Sequence, residues 1–281
     1  MGRANMQGNM QGNIPTIKMH LNETGCQSGV ALQGMVSYAG CAEQGARSQQ
    51  QDRIYIGERP PYLLAVVCDG MGGLEDGGKA SSLAVEIIEQ RFLTSFQMNE
   101  RRFLYESVQK IDREICRMTN KGKRIQSGTT IAAALLSHAG LYWLSVGDSR
   151  LYLYRVGKLL CPVQDHNYRL ILKERLERRE IAYEQYLQEE KYPNAEGLIS
   201  YLGIGGVPRI EINARPFTTI PGDKVLLCSD GLYKRVSEEE MKTVLETETG
   251  TSEKVNVLLQ TALERGGAVQ DNTSAILLEI F

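Results

Sequence analysis

"LLAVVCDGMGGLEDGGKAS", Leu63 to Ser81, is the stretch on which the fold turns. Six apolar residues run without a break into Asp69, and glycines follow at 70, 72, 73, 77 and 78. A continuous apolar run bounded by a turn signal reads as a strand buried on both faces. Beyond the glycines, Leu83, Ala84, Ile87, Ile88 and Phe92 form one apolar stripe, which reads as a helix. The strand therefore delivers an acid to the rim of a sheet, beside a backbone with few side chains.

The same pattern recurs. "KVLLCSD" (Lys224 to Asp230) is a second apolar strand ending in Asp-Gly. A helix follows from Ser237, an N-cap with Glu240 in the capping-box position. Asp148 follows "LYWLSVG", and Asp271 immediately precedes the strand "NTSAILLEI" (Asn272 to Ile280). Any one of these acids is also a common turn signal. Acids from several strand ends can also converge on one rim, where each pair at ~4 Å would cost roughly 1 to 4 kcal/mol. Such a rim needs a cation. An all-oxygen donor set suits a hard divalent ion, Mg²⁺ or Mn²⁺. Glycines beside Asp69 and Asp230 would let a backbone carbonyl approach that ion.

The rest of the chain narrows the class. It has 281 residues, 42% of them hydrophobic, and a net charge of −2. That is enough for a large core, with no overall basic field for nucleic acid or an anionic membrane. No apolar run reaches the roughly 18 residues of a membrane span, and the polar N-terminus lacks a secretory core. "NMQGNMQGN" (Asn5 to Asn13) cannot bury a face, so residues 1–29 are expected to be a flexible tail and 30–281 one folded domain. Cysteines at 26, 41, 68, 116, 161 and 228 show no paired spacing. They read as buried hydrophobes in a reducing compartment, which implies a cytoplasmic protein.

A second helix is expected over Glu100 to Met118, an antiparallel meander from 129 to 160 with turns at Gly140 and Gly157, exposed helices from Tyr168 to Tyr192, and a last helix near Ser252 to Gly266. Strands and helices in blocks favour α+β. No P-loop, complete G-x-G-x-x-G or EF-hand spacing exists, and the three histidines fit neither a zinc site nor a triad.

Taken together, these motifs resemble the bacterial protein phosphatase 2C-type, metal-dependent Ser/Thr phosphatases. "GARSQQQD" (Gly45 to Asp52), "DGMGG" (Asp69 to Gly73), "SGTT" (Ser127 to Thr130), "VGDSRLYLYR" (Val146 to Arg155), "QDHN" (Gln164 to Asn167), "PGDKVLLCSDGL" (Pro221 to Leu232) and "DNTSAIL" (Asp271 to Leu277) stand in the family's order. The resemblance covers about Val30 to Phe281. It implies a central antiparallel β-sandwich flanked by helices on both sides, with metals in a cleft at one end.

The resemblance also implies roles. Asp69 would bridge two ions, with the Gly70 carbonyl on one and Asp230 and Asp271 on the other. Asp52 would act through metal-bound water, and Asp148 would serve a third, weaker ion. Arg47 would clamp the substrate phosphate and Asn272 would orient its neighbours. Phosphoserine or phosphothreonine would be hydrolysed by a metal-bridging hydroxide, in opposition to a Ser/Thr kinase. With Met71 where some members carry histidine, a metal-bound water would protonate the leaving group. The protein would be a monomer acting on phosphorylated proteins. Against the usual Arg-x-x-Asn-Glu/Gln-Asp, Gln50 replaces the asparagine, and Gln51 is the neutral choice at the next position. The competing reading is a non-catalytic phosphoprotein-binding module on the same fold, and a weaker one is a hydrolase of small phosphoesters.

Overall fold

The structure, a computed structural model, describes residues 17–21, 24–72, 76–95, 99–119 and 127–281. Strands β1 (Ile17–Leu21), β2 (Gly25–Ala31), β3 (Val36–Glu43), β4 (Asp52–Arg59) and β5 (Tyr62–Met71) precede helices α1 (Asp76–Thr94) and α2 (Glu100–Thr119). Then come β6 (Gly128–Thr129), β7 (Ile131–Ser137), β8 (Gly140–Val146), β9 (Arg150–Arg155) and β10 (Lys158–Leu160). Helices α3 (Tyr168–Glu177) and α4 (Tyr183–Glu189) lead to β11 (Glu211–Ile212) and β12 (Lys224–Cys228). The chain closes with α5 (Asp230–Tyr233), α6 (Glu238–Leu245), α7 (Thr251–Gly266) and β13 (Thr273–Ile280).

The strands form two antiparallel sheets, ordered β1-β4-β5-β7-β8-β11, with β6 on β5, and β10-β9-β12-β13-β3-β2. β5 shows why its sequence is apolar without a break. Leu63, Ala65 and Val67 face the other sheet, against Val225, Leu227, Ile276 and Leu278. Leu64, Val66 and Cys68 face α1 and α2, against Ala84, Ile88, Leu104 and Ile111. Successive side chains alternate between the faces, and both faces are covered. Each such Leu or Val contributes about 1.5 to 3 kcal/mol by leaving water. On the second sheet, Leu226, Cys228 and Leu277 pack under Met241, Val255, Leu258 and Ala262 of α6 and α7. The layers are therefore helix, sheet, sheet, helix. The capping box at Ser237 and Glu240 forms as its sequence pattern suggests.

Three expectations change. The boundary at residues 29/30 falls inside β2, and β1 pairs with β4 from Ile17 onward. Strands on sheet edges bury little, so composition hid them; residues 1–16 lie outside the described residues. Cys26 and Cys41 are paired in a disulfide, Cα atoms 4.2 Å apart, because β2 and β3 set them directly opposite each other. Cross-strand neighbours are close whatever their spacing in sequence. The argument for a reducing compartment from unpaired cysteines loses its premise. Finally, the meander from 129 to 160 is two hairpins in different sheets, β7–β8 and β9–β10. The corner at 147–149 carries the chain from one sheet to the other. No helix among the described residues is long and apolar enough to cross a membrane.

Candidate active site

At one end of the sandwich the inward positions change from aliphatic to polar. In β5 the series Leu63, Ala65, Val67 continues to Asp69, and in β4 Ile56 and Ile54 lead back to Asp52. Asp52 and Asp69 are direct cross-strand partners. Like charges set opposite each other destabilise a sheet. Across the interface, Val225 and Leu227 lead to Ser229, whose Oγ donates to Asp52 Oδ2 at 2.7 Å. Ser229 Oγ in turn accepts from the Ser274 N–H at 3.0 Å, so one hydroxyl ties the two sheets together. Asp52 Oδ1 is buried and has no protein partner.

The backbone of Asp69 is pinned on both sides. Its N–H donates to Thr130 Oγ1 at 3.0 Å, and its carbonyl accepts from the Thr130 N–H and Thr129 Oγ1, both at 2.9 Å. Asp148 occupies the corner between the sheets, Asp230 opens α5 and Asp271 precedes β13. Asp69, Asp148, Asp230 and Asp271 line one cleft of about 370 Å³, with Arg47, Gly70, Met71 and Asn272. Asp52 lies buried beneath it.

The carboxyls feel one another. Burial, and then the fields of Asp52, Asp230, Asp148 and Asp271, push Asp69 well above the ordinary aspartate range. Burial, with Asp230 and Asp271, raises Asp52 to about 7 although the hydroxyls of Ser229 and Ser274 pull it down. Burial and Asp230 raise Asp148 to about 7, with Lys234 pulling the other way. Among the described residues no three histidine, cysteine or carboxylate side chains form a ready-made metal cluster. Two of the acids are turned toward side-chain cations. Asp271 Oδ2 accepts from Arg47 Nη2 at 2.5 Å, and Asp230 Oδ2 accepts from Lys234 Nζ at 2.8 Å. The donor set still fits a hard divalent ion. It is carboxylate and carbonyl oxygen, it includes the partnerless Asp52 Oδ1, and such ions complete their shells with water.

Asn272 joins the Arg47 loop to β13. Its Nδ2 donates to the Gln44 and Gln49 carbonyls at 2.8 and 3.0 Å, and its Oδ1 accepts from the Gln51 N–H at 2.8 Å. Gln50 Oε1 accepts from the Asp52 N–H at 3.0 Å, so this departure from the family pattern serves as a local brace. His166 is buried and structural. Its Nδ1 accepts from the Gly147 N–H at 3.2 Å, and its backbone holds Gly147 and Ile199.

The glycines have a packing cause beside the one expected. A Cβ on Gly70 would lie 2.3 Å from the Gly77 carbonyl oxygen, and one on Gly77 would lie 2.9 Å from Gly70 backbone. A Cβ on Gly231 would lie 2.1 Å from the Asn272 carbonyl oxygen. The first turn of α1 thus packs backbone to backbone on the end of β5, and α5 does so on the approach to β13. These contacts lock Asp69 and Asp230 in place. Gly73 lies outside the described residues.

Sequence reasoning missed Ser229 and Lys234 and read the threonines only as part of a motif. Parity along β12 was the available signal for Ser229. Nothing in the sequence placed Lys234 beside Glu196.

Comparisons agree with this architecture. The serine/threonine phosphatase stp of Listeria monocytogenes is 31% identical over 223 residues, which span 77% of this chain and 84% of that protein. The S. agalactiae serine/threonine phosphatase superposes with a TM-score of 0.76 at 24% identity, over 88% of this chain and 100% of that one. The Mycobacterium tuberculosis phosphatase PstP/Ppp superposes with a TM-score of 0.72 at 26% identity, over 87% and 98%. A PstP catalytic domain with a TM-score of 0.69 was solved in complex with two manganese ions. The sequence profile of protein phosphatase 2C matches residues 39–266, and the chain belongs to that family.

Proposed function

We propose that the protein hydrolyses phosphoserine and phosphothreonine in proteins with two divalent ions held in this cleft. Asp69 would be shared between the ions, the Gly70 carbonyl would serve one, Asp230 and Asp271 would serve the other, and Asp52 would act through water. The observation that carries the reading is the facing pair Asp52 and Asp69, both raised, Asp69 lining the cleft and Asp52 fully buried with one carboxylate oxygen left without a partner. Mg²⁺ and Mn²⁺ both suit the donors. When bound, such ions lower the pKa of a water so that a nucleophile is available near neutral pH.

The chain's own residues do the rest. Arg47 stands at the cleft mouth with its side chain 61% exposed, free to turn from Asp271 to a phosphoryl group. Its planar fork suits two phosphate oxygens. Asn272 keeps the Arg47 loop on β13, and Thr129 and Thr130 hold Asp69 aimed into the cleft. Among the described residues no histidine lines the cleft and Met71 does, which leaves water to carry the proton to the leaving alkoxide. One catalytic domain, acting as a monomer in the cytoplasm against a Ser/Thr kinase, accommodates this chemistry.

The test is hydrolysis of a phosphothreonine peptide by the purified chain with Mn²⁺, then with EDTA. Turnover is expected with the ion, and none with chelator or in Asp69→Asn. Binding of the phosphopeptide without turnover under any divalent ion would replace this reading with that of a binding module.

A further inference from the structure

The outer edge of the cleft carries a cation of its own. Lys234 directly follows α5, and its side chain reaches back one turn. Its Nζ donates to Asp230 Oδ2 at 2.8 Å and lies 3.3 Å from Glu196 Oε2. Glu196 ends the 3₁₀ turn Pro193–Glu196, in the segment that α3 and α4 begin. Asp148 lines the same cleft as Asp230. One positive charge thus joins two carboxylates from separate elements, α5 and the 3₁₀ turn, at the edge of that cleft. Carboxylate oxygens are the donors a hard cation would take.

We propose that the Lys234 ammonium takes the place of a third ion at the Asp148–Asp230 edge, so that this chain binds two divalent ions where the bare carboxylates would bind three. This rests on the two-ion reading above. Asp230 Oδ2 is occupied by Lys234. A divalent ion on the outer side would sit against that positive charge, and like charges repel. Lysine suits the position because its ammonium is a compact point charge with three donors. Lys234 is a positioning residue in this scheme. It fixes Asp230 and ties the 3₁₀ turn to the same edge through Glu196.

The experiment counts ions. The full chain is stripped of metal and titrated with Mn²⁺, and bound ions are counted from the loss of the free-Mn²⁺ paramagnetic resonance signal. Wild type and Lys234→Arg are expected to saturate at two ions per chain. Lys234→Gln removes the charge and is expected to take up a third. The Lys234 side chain is 40% exposed, so these changes leave the core intact. A wild type that binds three ions overturns the inference, and so does Lys234→Gln that stops at two. A wild type that binds fewer than two overturns the two-ion reading as well, so the two failures are distinct.

Discussion

The same two strands carry opposite electrostatics at their two ends. β12 and β13 reach the cleft at Asp230 and Asp271, and at the far end they pair Lys224 with Glu279 in register. There Glu279 Oε1 accepts from Lys254 Nζ at 2.6 Å and lies 3.3 Å from Lys224 Nζ, and Thr251 donates to Oε2. Burial raises the Glu279 carboxyl, but the bonds from Lys254 and Thr251 outweigh it and leave it below the ordinary glutamate range. At the cleft, burial and like charges win, and Asp52, Asp69 and Asp148 rise. The fold can bury an acid with full compensation. Where it leaves compensation out, it keeps a place for ions from outside.

The sharpest way to break that contrast is Asp69→Asn. Activity is expected to fall by roughly 10³-fold or more, since removing even one charge-stabilising donor in an active site costs about 10²–10³. In EDTA the same variant is expected to melt higher than wild type, because one of the mutually repelling carboxylates has gone. Retained turnover, or a lower melting temperature without metal, would remove the cleft from its side of the comparison. Asp230→Asn is expected to lose activity to a similar degree.

The far end answers in stability instead. Lys254→Met leaves Glu279 short of a buried partner and is expected to cost about 3 to 5 kcal/mol in denaturant unfolding. Its kcat is expected to be unchanged under conditions where it is folded. A variant as stable as wild type would mean that Lys224 alone compensates Glu279.

The two ends also differ in sign against pH. Asp52 and Asp148 are raised from 3.8 to about 7 in the metal-free protein. A raised acid contributes stability below its unfolded pKa and loses it as pH climbs to the folded value. The cleft is therefore expected to cost the metal-free chain on the order of a few kcal/mol between pH 4 and 7. Glu279, being lowered, contributes above its unfolded pKa and loses that only as pH falls further. Melting temperatures in EDTA are expected to drop across that window, and Mn²⁺ is expected to flatten the slope. A flat profile without metal would show that the acids are compensated by something within the fold.

The contrast also separates what the sequence could say from what it could not. Acids at the ends of apolar strands were legible because a buried strand has only one place to put a charge, its end. Asp69, Asp148, Asp230 and Asp271 were legible for this reason, and Asp52 through the resemblance of the motif Gly45 to Asp52. β1 and β2 were not, because edge strands leave half their residues polar. The Cys26–Cys41 disulfide depends on register, which no local pattern sets. The glycines were ambiguous, because a tight approach to a ligand and a tight approach to another backbone call for the same residue. Lys234 was invisible because its second carboxylate, Glu196, comes from a 3₁₀ turn far away in sequence.

Arg47 gives the smallest and most discriminating effect. Its ion pair with Asp271 is exposed, and such pairs contribute only about 0 to 1 kcal/mol to stability. Arg47→Ala is therefore expected to leave the melting temperature nearly unchanged. If the guanidinium leaves Asp271 for the substrate phosphate, KM should rise by roughly 10- to 100-fold, in line with about 1.5 to 3 kcal/mol for a charged hydrogen bond, while kcat falls less. Arg47→Lys should recover only part of the loss, because a point charge cannot hold two oxygens at once. If instead kcat falls and KM stays, Arg47 acts by holding Asp271 in place. Each acid at the cleft edge would then be positioned by a cation of its own, Asp271 by Arg47 and Asp230 by Lys234.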